Sequence, residues 1–210
     1  MADPTSSAAI TDRGALRELY GEPSPTAVAV SKTYLDEYHQ LFIRHSPFLC
    51  LASTTADGQP NVSPKGDGPG FVHIRDEKTL VIPDRLGNNK IETFENIMEN
   101  PRVALIFFIP GVREMVRVQG TATLVRDPEV LELGRVGDKL PAASLVIHVT
   151  KSYLHCGKAL VRSRLWDPSS QVADTTIPPF GQMIKDQANI DAPAEEIQES
   201  IEHEYRNELY

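Results

Sequence analysis

The sequence predicts a mainly β protein, a six-stranded antiparallel barrel with flanking helices. Three observations carry that expectation. Short runs rich in β-branched and aromatic residues recur between positions 47 and 150, separated by turn signals at hairpin spacing. Helical periodicity lies chiefly before residue 47, between 89 and 99, and beyond 158. No strand–GxGxxG–helix unit occurs, which argues against a dinucleotide-binding parallel sheet.

Taken in order, Thr11 caps a short helix that runs through Leu19 and Tyr20 and stops at Gly21. Glu22-Pro23-Ser24-Pro25 interrupts the chain. Ser31 then starts a second helix whose Tyr34, Leu35, Tyr38, Leu41 and Phe42 share one face at helical spacing. Residues 1–44 thus read as an N-terminal helical arm. The first strand is 48–54, Asp57-Gly58 is a hairpin turn signal, and 61–64 is the return strand. After a glycine-rich turn, 71–74 and 79–82 form another pair. A helix over about 89–99 carries Ile91, Phe94, Ile97 and Met98 inward and covers an open end of the barrel. Asn100-Pro101 ends it, because the residue before proline leaves the α region. Strands at 102–109 and 114–125 join through Pro110-Gly111. Asp127-Pro128 opens a short helix, 143–150 reads as the last strand, and a further helix includes 158–165. The barrel domain is 45–167. Residues 168–210 form an acidic C-terminal arm, where Ile197, Ile201 and Tyr205 mark one helix face.

Charge and cysteine usage exclude several function classes. The chain has 29 acidic and 21 basic residues, a net charge of −8. That argues against nucleic-acid or anionic-membrane partners, which need basic surfaces. The charge is uneven, with nine acidic and two basic residues in 168–210 against 14 and 15 in 45–167. The barrel is therefore nearly neutral, and one anion in one pocket remains compatible with it. Cys50 and Cys156 read as buried, reduced thiols of a cytosolic protein. No Cys/His cluster has metal-ligand spacing, so no metal is expected. The first ten residues lack a secretory pattern, and no run approaches the length of a membrane span. The expectation is a cytoplasmic protein.

Four segments carry candidate chemistry. Ile82-Pro83-Asp84-Arg85-Leu86-Gly87-Asn88-Asn89-Lys90 leaves a strand and enters a helix. Asn89 is a suitable N-cap with Glu92 at the third position, which puts Lys90 at the positive end of the helix dipole. A cation there is unfavourable unless an anion is present. Arg85, Lys90, Asn88, Asn89 and the helix N–H groups would then make a phosphate cradle. The alternative is a solvated surface on which Asp84 and Glu92 neutralise the cations. In the second segment, Asn61-Val62-Ser63-Pro64-Lys65-Gly66-Asp67, the proline marks an edge or bulge and Lys65 faces either a cleft or solvent. In the third, Arg117-Val118-Gln119-Gly120-Thr121-Ala122, alternation puts Arg117 and Gln119 on one strand face. In the fourth, Lys158, Arg162 and Trp166 stand at i, i+4 and i+8, a cationic and aromatic helix stripe or a solvated face anchored by Trp166.

These motifs, with Gly70-Phe71-Val72, Asn100-Pro101 and Pro110-Gly111, resemble the pyridoxamine 5′-phosphate oxidase-like FMN-binding split-barrel proteins over roughly 45–167. The nearer likeness is to their uncharacterised FMN-dependent branch. The resemblance implies a six-stranded antiparallel split β-barrel and a homodimer with two FMN sites at the subunit interface. Ser63, Pro64, Lys65, Gly66 and Asp67 would pass along the isoalloxazine ring. Ile82, Pro83, Asp84, Arg85, Asn88, Asn89 and Lys90 would hold the ring edge, ribityl chain and phosphate. Arg117 would lie in or near the site, and the 158–166 run (Lys158, Arg162, Trp166) would close it from either subunit. The vitamin B6 enzymes resemble one another in an Arg-x-Val-Leu-Leu-Lys strand and a Gln-Val-Arg-Ile-Glu-Gly strand. Here 61–65 replaces the first, Met115 takes the place of the glutamine, and the C-terminal substrate-phosphate arginine motif has no counterpart. Pyridoxamine phosphate is therefore not the expected substrate.

The leading expectation is an FMN-dependent oxidoreductase acting on an unknown small molecule. Lys65 and Arg117 are the candidates to stabilise reduced flavin, and no catalytic acid or base is named. His73 and His155 are the nearest titratable groups. The alternative is a protein that binds flavin, deazaflavin or haem for sensing, storage or transfer.

Overall fold

The computed structural model describes residues 9–173 and 176–210. Contact density divides the chain after Ser31. The first unit holds α1 (Arg13–Tyr20) and α2 (Pro25–Ala29). Asp12, not Thr11, caps α1, accepting the Ala15 N–H at 2.9 Å. Gly21 stops the helix at φ 66°, left-handed backbone where a Cβ is penalised. Ser24 caps α2, and Pro25 fills its first position with a residue that has no N–H to lose.

In the second unit, Lys32–Tyr210, the helix expected from Ser31 starts only at α3 (Glu37–His45). The sheet keeps the preceding segment extended. Lys32 bridges Ser152 through two 2.9 Å bonds, and the Leu35 N–H donates to Glu77 O at 2.7 Å. Asp36 then caps α3 through the N–H groups of Tyr38 and His39. The buried stripe is Leu35, His39 and Ile43, whereas Tyr38 and Leu41 are exposed. Burial outweighs the pull of Asp36 and holds the His39 pKa below its usual value, so a neutral imidazole fills an apolar stripe. This helix packs with the sheet's unit, although sequence alone put it in the arm.

Seven antiparallel strands follow: β1 (Phe48–Thr54), β2 (Pro60–Gly66), β3 (His73–Asp76), β4 (Thr79–Pro83), β5 (Arg102–Phe108), β6 (Met115–Val125) and β7 (Ser144–His155). Their order is β2-β1-β5-β6-β7-β4-β3. The expected count was six. The runs read from the sequence already number seven, and each forms a strand, with short β3 an edge paired to β4 alone. The two edge strands, β2 and β3, do not pair with each other, so the barrel stays split. Strand β7 runs on to His155 against β6, with a register slip between Gln119 and Gly120. Gly120 is required there, since a Cβ would sit 2.2 Å from the His148 carbonyl oxygen.

Directly paired residues of an antiparallel sheet share a face, so register defines the two faces. Lys65, Leu49, Phe107 and Val116 line up on the inner face. Pro64, Cys50, Ile106, Arg117 and Tyr153 line up on the outer one. The core lies inside, where Leu49, Leu51, Leu80, Ile82, Leu105, Phe107, Val118 and Ile147 are buried. Each such side chain contributes about 1.5–3 kcal/mol of burial free energy.

Helix α4 (Glu92–Glu99) lies between β4 and β5. It is tied to β1 by Asn96 Nδ2 donating to Ser53 Oγ (3.2 Å), and Asn100 beyond its end donates to Thr54 Oγ1 (2.7 Å). Because it begins at Glu92, its buried face is Thr93, Asn96 and Ile97, while Ile91 and Met98 are exposed. Asp127 caps α5 (Pro128–Leu133) as its sequence predicts. Helix α6 (Lys158–Ser163) is two residues shorter than expected, with Arg164 left-handed at φ 54°. Cys156, at the junction of β7 and α6, is exposed rather than buried. Helices α7 (Phe180–Ala188) and α8 (Ala194–Asn207) form a hairpin. Among the described residues no helix is long and apolar enough to cross a membrane.

Candidate functional site

Strand β4 ends at Pro83, and the Asp84 N–H is fixed by the Ala143 carbonyl at 3.0 Å. The loop that follows carries two left-handed residues other than glycine, Asn89 (φ 55°) and Ile91 (φ 49°). Asparagine tolerates that conformation. A β-branched residue does so at a cost of about 1–2 kcal/mol. Such strain persists where the surroundings impose it, and it clusters at ligand sites. It also displaces the expected cap. Asn89 does not cap α4, Lys90 is not its first residue, and the N-cap position falls to Ile91, whose side chain has no hydrogen-bonding group. The opening N–H groups of α4 are therefore left without a side-chain acceptor.

That open helix end borders a polar cavity of about 230 Å³. Its walls come from inner-face residues of β2 (Asn61, Ser63, Lys65), from the loop (Asp84, Arg85, Asn88, Asn89, Lys90), and from Glu92, Thr93 and Phe94 of α4. A neighbouring cavity of about 370 Å³ shares Ser63, Lys65, Arg85 and Asn88 and adds Gly66, Phe71, Pro83 and Leu86. Lys65 reaches the floor with its Nζ 5.3 Å from the centroid of Phe94. Burial raises the Asp84 pKa, and the nearby Lys65 and Arg85 charges oppose that shift. Lys90 is exposed at the rim, its backbone N–H on Asn88 Oδ1 at 3.2 Å. Two lysines and the start of a helix without a side-chain cap thus border one cavity, a donor set that suits a phosphate ester.

Arg85 is placed differently from its sequence reading. Its Nε donates to Asp67 Oδ2 at 2.6 Å and its Nη1 to the Gly134 carbonyl at 2.7 Å. Sequence considered Asp84 as its neutraliser, whereas the partner is Asp67, 18 residues away. Burial works to raise the Asp67 pKa. The Tyr210 hydroxyl, the Gly68 N–H and Arg85 outweigh burial and hold that carboxyl below its ordinary range. His73 is likewise pushed down, by burial and then by Arg85.

Of the other expected site residues, Pro83 pairs with Ser144 and lines the neighbouring cavity, whereas Ile82 is a core side chain. Arg117 is on the outer face, its guanidinium 5.3 Å from the Tyr153 ring, so it and Lys65 point to opposite sides of the sheet. Lys158 and Arg162 are exposed on α6. Trp166 falls beyond the helix, and its Nε1 donates to the Val112 carbonyl at 2.8 Å, pinning the β5–β6 turn. None of these four lines either cavity. Sequence reading missed Thr93 and Phe94, which a later helix start would have exposed. It also missed Tyr210, whose hydroxyl donates to Asp67 Oδ1 at 2.7 Å across 143 residues, a contact with no local signal.

A family model described as pyridoxamine 5′-phosphate oxidase matches residues 35–156, more than half of the chain. The chain belongs to that family. Its match starts at Leu35, just ahead of α3, and ends at the close of β7, so it spans the whole sheet. Among solved structures, a Lactobacillus delbrueckii protein described as a candidate pyridoxamine 5′-phosphate oxidase is 24% identical. It covers 58% of this chain and 95% of its own, with a TM-score of 0.47. HupZ of Group A Streptococcus is 24% identical, over 55% of this chain and 89% of its own, with a TM-score of 0.44. An F420 reductase is 20% identical, over 56% and 98%, with a TM-score of 0.42. No curated protein gives a significant match.

Proposed function

We propose that the cavity between β2, the 84–91 loop and α4 holds the phosphate end of FMN, and that the protein is an FMN-dependent oxidoreductase acting on a small molecule. The observation that carries this reading is the convergence of Lys65, Lys90 and the uncapped start of α4 on one polar cavity. Lys65 and Lys90 would supply charge to the phosphate, and the N–H groups of Glu92 and Thr93 would supply direction. Asn88, Asn89 and Ser63 offer neutral polar groups for a ribityl chain. Bound FMN supplies hydride or electron transfer, and the chain supplies position and charge.

Ligand sites generally occupy about 300–1,000 Å³, so the 230 Å³ cavity suits one end of the cofactor and the adjoining one its continuation. A second copy of the chain would complete the enclosure. The outer sheet face offers Cys50, Ala52, Ala104, Ile106 and Phe108, all half-buried, as an apolar centre for such a homodimer. Arg117 lies in the same row and would act toward the partner's site. The 158–166 run would contribute in the same way, from the partner.

The experiment is the absorption spectrum of natively purified protein, with the released cofactor identified by mass. A flavin spectrum and the mass of FMN are expected. A haem band or a deazaflavin mass would assign the cavity to another cofactor. A colourless protein that takes up no FMN on addition would overturn the proposal.

A further inference from the structure

Residues 178–210 carry the acidic hairpin of α7 and α8. The two helices close on each other at Gly181, where a Cβ would sit 2.6 Å from the Ala194 carbonyl oxygen and whose N–H donates to Gln198 Oε1 at 2.8 Å. Among the described residues, the hydrogen bonds joining 178–210 to the barrel are the two at Tyr210. Its carbonyl accepts from Lys139 Nζ at 2.5 Å, and its hydroxyl donates to Asp67 Oδ1. Its ring covers the Arg85 guanidinium at 5.5 Å. One tyrosine thus fastens the acidic hairpin to the one arginine that borders the candidate anion cavity.

That fastening conflicts with anion binding at Arg85. Asp67 occupies the Nε edge of the guanidinium, and Gly134 takes Nη1. A phosphate needs one of these edges for a forked contact, and it would meet the Asp67 carboxylate beside it. Asp67 stays in place because three donors hold it: Tyr210, the Gly68 N–H and Arg85. Tyr210 supplies one of the three and shields a face of Arg85 as well.

We propose that Tyr210 is a strap: while it is closed, Arg85 remains on Asp67, and an anionic ligand gains Arg85 by displacing it. This rests on the reading of the Lys65–Lys90 cavity as a phosphate-ester site and names the regulation of that site. Strap and ligand are competitors, so each weakens the other by the same factor. A strap closed nine-tenths of the time lowers apparent affinity about tenfold.

The test is the Kd of FMN, from quenching of its fluorescence, for the full chain and for Tyr210→Phe and Tyr210→Ala. Riboflavin, which lacks the phosphate, is titrated in parallel. Tyr210→Ala is expected to bind FMN about tenfold more tightly than the unaltered chain, with Tyr210→Phe between them and riboflavin affinity unchanged. Hydrogen exchange on the unaltered chain gives a second readout that needs no variant: FMN should speed exchange in 178–210. Equal or weaker FMN binding by Tyr210→Ala, or equal tightening for riboflavin, overturns the strap. Slower exchange of 178–210 with FMN overturns it too, since the segment would then be part of the binding site. Absence of FMN binding in every form overturns the anion-site reading, and the strap falls with it.

Discussion

Two basic stretches of this chain look alike as sequence and differ in space. One is the 82–94 passage from strand to helix, the other the 158–166 run. Each contains an arginine paired with an aspartate. The Arg85–Asp67 pair is 2.6 Å long, with side chains only 19% and 10% exposed. The Arg164–Asp167 pair is 2.8 Å long, with side chains 61% and 40% exposed. The first sits among cavities that also take Lys65 and Lys90. The second is a local i, i+3 contact that helps end α6. Counting cations at helical spacing therefore says little about a site. What separates the two is whether cations from different elements border one cavity.

The largest effect expected of this contrast is on ligand affinity. Replacing Lys65 and Lys90 together by alanine should weaken FMN binding at least about 100-fold, since each charged hydrogen bond contributes about 1.5–3 kcal/mol. Titration by fluorescence quenching measures it. The matching Lys158→Ala, Arg162→Ala pair should change affinity less than about threefold at protein concentrations where the chain is monomeric. A large loss there that appears only in the dimer would sharpen the contrast, because it would place α6 at the partner's site.

The next effect is on stability. Arg85→Ala strands a mostly buried carboxylate and a carbonyl acceptor, and should cost about 2 kcal/mol in urea denaturation. Arg85→Lys should not restore it, because one ammonium cannot serve Asp67 and Gly134 in two fixed directions. Arg164→Ala should leave the denaturation midpoint within error, and equal midpoints for the two alanine variants would break the comparison. The Arg85 contribution also has a pH signature. The Asp67 pKa is lower folded than unfolded, so the pair's stabilisation is complete above the unfolded value of about 3.9 and is lost as pH falls through the folded value. The gap between the unaltered chain and Arg85→Ala should therefore close in acid. A gap that persists well below that pH would show that Asp67 is not the partner that matters. The smallest effect is expected at Trp166→Phe, a loss of about 1 kcal/mol from the bond to Val112 with FMN affinity unchanged.

Much of the fold was legible because alternation records burial directly. In β1 the inward Leu49, Leu51 and Ser53 interleave with half-buried Cys50 and Ala52, and its predicted limits match the strand. Asp127-Pro128 and Gly21 also mark helix limits that the structure keeps. Errors arose where a long-range contact overruled a local preference. Lys32 and Leu35 are held extended by Ser152 and Glu77, which delays α3. His39, not among the residues of the predicted helix face, is buried in the core. Asn89 had the composition of a cap but took the left-handed conformation that asparagine also tolerates, so α4 begins later. The cations of the candidate site could be chosen from sequence, whereas their partners could not. Asp67 and Tyr210 meet Arg85 through tertiary structure alone.

The proposed function rests on recognition of a phosphate ester by the Lys65–Lys90 cavity. The most direct measurement is the affinity of the full chain for FMN against riboflavin, which differ only in that phosphate, repeated after Lys65→Ala, Lys90→Ala replacement. FMN should bind at least about 100-fold more tightly than riboflavin, and the double replacement should remove most of this difference. Equal affinity for the two flavins, or a preference for FMN that survives the loss of both lysines, would contradict it.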